Sequence, residues 1–112
     1  MTQVKEIKSM EDFAKILEES HKTTVLLCKF SPICHVSSEA ESQFNEYLQT
    51  EPQNIAFYKI DVVYSRDTSR RLAKEIDVKH ESPQALLFKN GKCIWNDSHY
   101  RLTKEAFQDI AK

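Results

Sequence analysis

Hydrophobic and polar positions follow two different periods along this 112-residue chain, and they predict strands and helices in turn. Residues 24–30 (TVLLCKF) and 54–62 (NIAFYKIDV) are short and mostly apolar, which is typical of strands buried on both faces. Apolar residues spaced three and four apart predict helices at about 9–20, 34–49 and 65–76. Strands and helices therefore alternate through most of the chain.

Shorter signals complete the order of elements. Residues 4–7 form a candidate strand, Asn90-Gly91 is a hairpin signal between strands at 85–88 and 93–95, and a last helix follows. The order βαβαβαββα implies parallel strands joined by right-handed crossovers and then a closing antiparallel hairpin. We therefore expect one α/β domain over residues 1–112, with a central mixed five-stranded sheet and helices on both faces.

Composition narrows the classes of function. The chain has 16 Lys and Arg against 17 Asp and Glu, and this balance argues against a nucleic-acid partner. No apolar run has membrane-spanning length and no signal peptide is recognisable, so we expect no membrane partner and a cytoplasmic location. The three cysteines have no framework spacing, which favours free thiols, and no pair has the spacing of metal ligands. We expect no metal site.

Cys34 is the strongest candidate for chemistry. It follows a buried strand and Pro32, and it opens a predicted helix, where unpaired N–H groups and the helix dipole favour an anion. The thiolate is the nucleophilic form of cysteine, and His35 beside it would add positive charge when protonated. The alternative is that Cys34 is a small buried hydrophobic residue, and its placement alone leaves both readings open.

Ser37 indicates which kind of thiol chemistry to expect. In a C-x-x-C pair the second cysteine resolves the mixed disulfide formed by the first, but here the motif is Cys34-His35-Val36-Ser37. The chemistry predicted for Cys34 is therefore monothiol. We also expect the Ser37 hydroxyl to donate a hydrogen bond to the Cys34 thiolate.

Pro83 directly precedes a buried strand. Because proline cannot donate to the sheet, it belongs at the first residue of that strand or in a special turn. A cis Ser82–Pro83 bond facing Cys34 is one solution, and an ordinary trans turn is the other.

Three further residues are weaker candidates. Cys28 lies in a central strand, where core packing is favoured over a resolving role. Cys93 lies in the closing hairpin and is expected to be structural, with capping by a small thiol left open. His80 either tunes the site near Pro83 or is an ordinary loop histidine.

A resemblance to a known superfamily covers nearly the whole chain. The runs Leu72–Val78, Ser82–Pro83 and Leu86–Lys92 resemble the second half of a thioredoxin, with Pro83 matching that family's cis-proline and Cys34 at its nucleophile position. Within the superfamily, the run 34–37 together with 80–84 (HESPQ) resembles the monothiol bacilliredoxins of bacillithiol-producing bacteria.

The resemblance implies a function. A bacilliredoxin-like protein would use the Cys34 thiolate to remove bacillithiol, or a similar low-molecular-weight thiol, from mixed disulfides on proteins. Ser37, His35, Ser82 and Pro83 would support Cys34, and no tightly bound cofactor would be needed. The implied partners are S-thiolated proteins and the small thiol, and the implied role is redox homeostasis and stress response in the cytoplasm.

The chain also departs from these families. Tryptophan does not precede Cys34, Cys28 stands where thioredoxins bury an aspartate, and His35 stands where bacilliredoxins usually have proline. Loss of the second cysteine would also fit a non-catalytic thioredoxin-like module that binds partners in the same groove, which is the main alternative. A monothiol glutaredoxin that assembles an iron–sulfur cluster is disfavoured, because the glycine that family has after the nucleophile is missing.

Overall fold

The computed structural model describes residues 2–110, which form a single sheet with helices on both faces. The strand order is β1-β3-β2-β4-β5, with β1, β2 and β3 parallel, β4 antiparallel to β2, and β5 antiparallel to β4. The strands are β1 Val4–Glu6, β2 Thr24–Phe30, β3 Ile55–Asp61, β4 Gln84–Lys89 and β5 Lys92–Ser98. The predicted α/β class and mixed five-stranded sheet are confirmed.

Four α-helices cover the sheet within the described range: α1 Met10–Glu19, α2 His35–Leu48, α3 Arg66–Ile76 and α4 Lys104–Ile110. Helices α2 and α4 pack on one face, where Phe44 and Phe107 join Cys28 in one buried cluster. Helices α1 and α3 pack on the other face, where Phe13 and Leu72 belong to a second cluster.

Local sequence signals account for several boundaries. The Ser9 hydroxyl oxygen accepts a hydrogen bond from the Asp12 N–H at 3.1 Å, so Ser9 caps α1 as expected. Thr103 caps α4 in the same way through the Ala106 N–H at 3.1 Å. Asn90 and Gly91 have φ of 54° and 77°, the left-handed pair that a two-residue hairpin requires.

Two boundaries differ from the predictions. Strand β5 continues to Ser98, three residues beyond the predicted end at Trp95, and a 3₁₀ turn at His99–Arg101 was not predicted. The additional residues are polar. Strand β5 is the outermost strand, where Asn96 and Asp97 reach solvent, and the buried Ser98 has a hydrogen-bond partner in Glu81.

The topology brings several chain segments to one edge of the sheet. Strands β2 and β3 end there, and β4 begins there because Gln84 pairs with Lys29. Strand β5 ends at the same edge, since Ser98 pairs with Gln84. We call this the carboxyl edge. Phe30, the last residue of β2, contacts Phe44 of α2 with ring centroids 5.8 Å apart, which fixes the helix against the strand that leads into it.

Candidate active site

Cys34 lies at the N-cap of α2, just beyond the carboxyl edge. Its backbone is extended (φ −109°, ψ 125°), and its carbonyl oxygen accepts a hydrogen bond from the Ser38 N–H at 3.0 Å. The first N–H groups of a helix have no partner within the helix, and together with the dipole they place partial positive charge beside the half-buried Cys34. No acidic residue in the first turn of α2 offsets this charge.

Ser37 is fully buried in the first turn of α2, and its hydroxyl oxygen accepts a hydrogen bond from the Ser31 N–H at 2.7 Å. The expected hydrogen bond from this hydroxyl to the Cys34 sulfur does not occur among residues 2–110, so that expectation is corrected. A backbone N–H in a tight loop needs a partner, and the serine oxygen supplies it. Ser37 therefore ties the loop before Cys34 to the helix after it.

Two other predicted supporting residues have no hydrogen bond to Cys34 in the described part of the chain. His35 is the first residue of α2 and is exposed to solvent. The Ser82 hydroxyl is buried and, within residues 2–110, has no hydrogen-bond partner. Their roles in the chemistry stay predictions.

Pro83 is buried, and the Ser82–Pro83 peptide bond is cis, as one of the two sequence readings expected. The last register pair between β2 and β4 is Lys29 with Gln84, so Pro83 continues that register beside Phe30. Pro83 and Cys34 therefore lie at the same edge of the sheet. The Pro83 carbonyl accepts a hydrogen bond from the His99 N–H at 3.0 Å, which joins this segment to the end of β5.

All three cysteines are free, and their surroundings differ. Cys28 is completely buried in the core, and burial, followed by the nearby Glu41 charge, raises the pKa of its thiol far above the ordinary value. Cys93 is half-buried, and burial raises the pKa of its thiol too. It pairs with Phe88 at the end of β4 remote from the carboxyl edge. Cys34 is thus the cysteine at the carboxyl edge.

Sequence reasoning missed Lys29, a charged residue that is completely buried near the end of β2. Its Nζ lies 3.1 Å from Nδ1 of the half-buried His80 and 3.4 Å from the Ser69 carbonyl oxygen. His80 is therefore tied to the sheet rather than free in a loop. The signal was present in the sequence, because Lys29 is the one charged residue in an otherwise apolar strand pattern.

Exposed apolar side chains surround the carboxyl edge. Ile33 directly precedes Cys34, Val63 and Tyr64 follow β3, and Tyr100 follows β5. Tyr64 and Ile33 are 90% and 83% exposed. This end of the molecule therefore carries several exposed apolar side chains.

The described residues hold neither a metal-binding cluster nor a membrane-spanning helix. Residues 2–110 contain no group of three or more His, Cys, Asp or Glu side chains arranged to hold a metal ion. None of the helices described is both long enough and apolar enough to span a bilayer.

The sequence matches a known protein family over most of its length. Residues 5–107 match the family model described as monothiol bacilliredoxin BrxC. The chain belongs to the monothiol bacilliredoxin family. The C-x-x-S arrangement of Cys34 and Ser37 agrees with the single-thiol description of this family. Family and fold together support a thiol redox role for this bacilliredoxin.

Solved structures confirm the thioredoxin fold of this bacilliredoxin. It is similar to a solved structure described as a candidate oxidoreductase with a thioredoxin fold, with a TM-score of 0.85 and 32% identity over 97% of this chain and 94% of that one. The thioredoxin of Malassezia sympodialis matches at a TM-score of 0.78 and 20% identity, over 99% of this chain and 90% of that one. The thioredoxin of Fasciola hepatica matches at a TM-score of 0.73 and 17% identity, over 96% and 95%.

Proposed function

We propose that this protein is a cytoplasmic thiol–disulfide oxidoreductase that removes a low-molecular-weight thiol, bacillithiol, from mixed disulfides on proteins, with Cys34 as nucleophile. The observation that carries the proposal is the position of Cys34. It is the cysteine at the N-terminal end of a helix at the carboxyl edge, while Cys28 is buried and Cys93 lies at the remote end of the hairpin. A thiol in this setting is suited to attack a disulfide, and Ser37 in the resolving position cannot displace the adduct.

The proposed reaction consists of two thiol–disulfide exchanges. In the first, the Cys34 thiolate attacks the small-thiol sulfur of the mixed disulfide, the S–S bond breaks, and the substrate protein leaves as a thiolate that takes up a proton. In the second, a free small thiol attacks the Cys34 adduct as its thiolate and leaves with the adduct as a symmetric disulfide. Cys34 returns as a thiolate. In the net reaction one free small thiol and the mixed disulfide give the substrate protein's free thiol and the symmetric small-thiol disulfide, and the proton lost by the small thiol goes to the substrate thiolate.

The carboxyl edge provides the features that a protein substrate would need. Backbone groups next to Pro83 would hold the chain around the substrate's thiolated cysteine as a short added strand. The exposed Ile33, Tyr64 and Tyr100 would contact the surrounding surface of that protein. The small thiol would act as a co-substrate and not as a bound cofactor.

The test uses a protein that carries bacillithiol on one cysteine, incubated with excess free bacillithiol. We expect the wild-type chain to accelerate release of the adduct and Cys34→Ser to show only the uncatalysed rate. The same target carrying glutathione tests the identity of the small thiol, and it should be released more slowly. Equal rates for wild type and Cys34→Ser would contradict the proposal. A wild-type protein that binds the thiolated target without releasing the adduct would instead indicate the non-catalytic binding module.

A further inference from the structure

Lys29 is a costly residue to bury. It is 0% exposed in a strand whose other residues are uncharged, and an ammonium group loses several kcal/mol of solvation in such a site unless it has good partners. Burial lowers the pKa of Lys29 to about 8, so the group is still mostly charged at pH 7. Its partners therefore indicate why a lysine is present.

Lys29 is one member of a row of buried polar side chains across three neighbouring strands. It pairs directly with Gln84 of β4, and Gln84 pairs directly with Ser98 of β5. Residues directly opposite one another project from the same face of a sheet. Their exposures are 0%, 1% and 1%. We call Lys29, Gln84 and Ser98 the polar row.

Every member of the polar row bonds to the same short segment, and Gln84 does so twice, because its Oε1 also accepts from the Glu81 N–H at 3.4 Å. Lys29 Nζ contacts His80 Nδ1 at 3.1 Å, and Gln84 Nε2 donates to the Lys79 carbonyl oxygen at 2.9 Å. Ser98 Oγ donates to Glu81 Oε1 at 2.6 Å. Three consecutive residues, 79–81, are thus held from three strands, immediately before Ser82 and Pro83.

We propose that the polar row is a positioning device, which holds segment 79–83 in the conformation that receives the substrate's chain beside Cys34. The inference rests on the proposed function, because it concerns the substrate side of that same site. None of the three side chains is hydrogen-bonded to Cys34 in the described structure. The row therefore acts on how the mixed disulfide is held and leaves the intrinsic reactivity of the thiol unchanged.

The geometry also determines the form of His80. A lysine ammonium has three donors and no acceptor, so Nδ1 of His80 must accept and the ring proton is on Nε2. Burial first, and then the Lys29 charge, lowers the pKa of His80; Arg70 and Arg66 act in the same direction and Glu81 in the opposite one. The polar row thus keeps His80 neutral in a single tautomer, which is a property that can be measured without any activity assay.

Two variants and one matched control test the proposal. Lys29→Met removes the donor but places an apolar side chain in an apolar strand, so it should fold. Ser98→Ala removes the bond to Glu81. Ser20→Ala is the control, because Ser20 is also a buried serine with a hydrogen-bonded hydroxyl, but it lies beside the Asn90-Gly91 turn.

Each protein is assayed for release of bacillithiol from the thiolated target and for alkylation of Cys34 by iodoacetamide. We expect Lys29→Met and Ser98→Ala to slow release about tenfold or more, the effect of a misplaced substrate, with alkylation unchanged. Ser20→Ala should change neither rate. Release at the wild-type rate in both variants, or a parallel loss of alkylation, would overturn the positioning role.

Nitrogen NMR of the His80 ring separates this inference from the proposed function. Wild type should show the Nε2–H tautomer with Nδ1 as acceptor, and Lys29→Met should lose that hydrogen bond. A wild-type ring protonated on Nδ1 would contradict the hydrogen bond from Lys29 to His80. The positioning role of the polar row would then be wrong, independently of the release assay. If wild type shows the expected ring but releases no adduct, the proposed function fails and the substrate role of the row fails with it.

Discussion

The hydroxyl of Ser37 holds the backbone of Ser31 in place by accepting its N–H at 2.7 Å. This bond joins the end of β2 to the first turn of α2 across the loop that carries Cys34. The residue in the position of a second cysteine therefore has a structural role of its own. Replacing it tests both the loop and the single-thiol chemistry.

Ser37→Ala should lower the stability of the protein. It removes the partner of the half-buried Ser31 N–H, and the loss of such a hydrogen bond costs about 0.5–1.5 kcal/mol. Urea unfolding of Ser37→Ala measures the loss, and Ser38→Ala, an exposed serine in the same turn, is the matched control. Equal stability of the two variants would show that the Ser31–Ser37 bond contributes nothing.

Ser37→Cys should change how the adduct on Cys34 is released. Residues three apart in a helix start are close enough for a disulfide, so the new thiol should displace the small thiol and close an internal bridge. Mass spectrometry should then show the variant about two hydrogens lighter and free of adduct.

Ser42→Cys supplies the control for that experiment. It makes the same substitution at an exposed position of α2. Ser42 lies about 12 Å from Cys34 along the helix axis, which is too far for a disulfide. It should keep the adduct as wild type does. An adduct that persists equally in Ser37→Cys would contradict the view that Ser37 occupies the resolving position.

Removing the other two thiols should leave the activity in place. Cys28→Ala should reduce stability by about 1 kcal/mol through the lost packing of a buried sulfur, yet release bacillithiol at the wild-type rate. Cys93→Ala should do the same with a smaller stability change, because Cys93 is only half-buried. Loss of activity in a folded Cys28→Ala or Cys93→Ala protein would make that cysteine part of the mechanism.

The buried Lys29 predicts a pH dependence of stability. Its pKa is about 8 in the native state, below the ordinary value of about 10.4, so between these values the unfolded chain binds a proton that the native state has lost. This group therefore makes stability rise with pH above about 8, by at most about 1.4 kcal/mol per pH unit.

The comparison of wild type with Lys29→Met isolates this effect. The raised pKa values of Cys28 and Tyr58 lower the free energy of unfolding at alkaline pH in both proteins. These two effects cancel when the variant is compared with wild type. The unfolding free energy of Lys29→Met relative to wild type should fall by roughly 1 kcal/mol between pH 7.5 and 9. Lys15→Met, at an exposed lysine of α1, is the control. A constant difference across this range would show that Lys29 does not titrate as a buried group.

The fold was largely readable from the sequence because its signals are local. Apolar runs located β2 and β3, Ser9 and Thr103 located helix starts, and Asn90-Gly91 located the hairpin. Strand β5 was truncated in the prediction because an edge strand carries polar residues, and periodicity cannot distinguish them from a loop.

The candidate site was only partly readable, because its supporting contacts are between residues distant in sequence. Cys34 and Pro83 carry signals in their own neighbourhoods, at a helix start and before a buried strand. The polar row depends on the register between β2, β4 and β5, which no local pattern specifies. Ser37 was assigned to Cys34 by spacing, but the loop geometry gave it the Ser31 N–H instead.

The most direct test of the central claim is the intact mass of the reduced protein after incubation with an equimolar bacillithiol mixed disulfide, followed by peptide mapping. The account predicts a mass increase of one bacillithiol, located on Cys34 and absent in Cys34→Ser. An adduct on Cys28 or Cys93, or a loss of two hydrogens through an internal Cys28–Cys34 or Cys34–Cys93 disulfide, would contradict it.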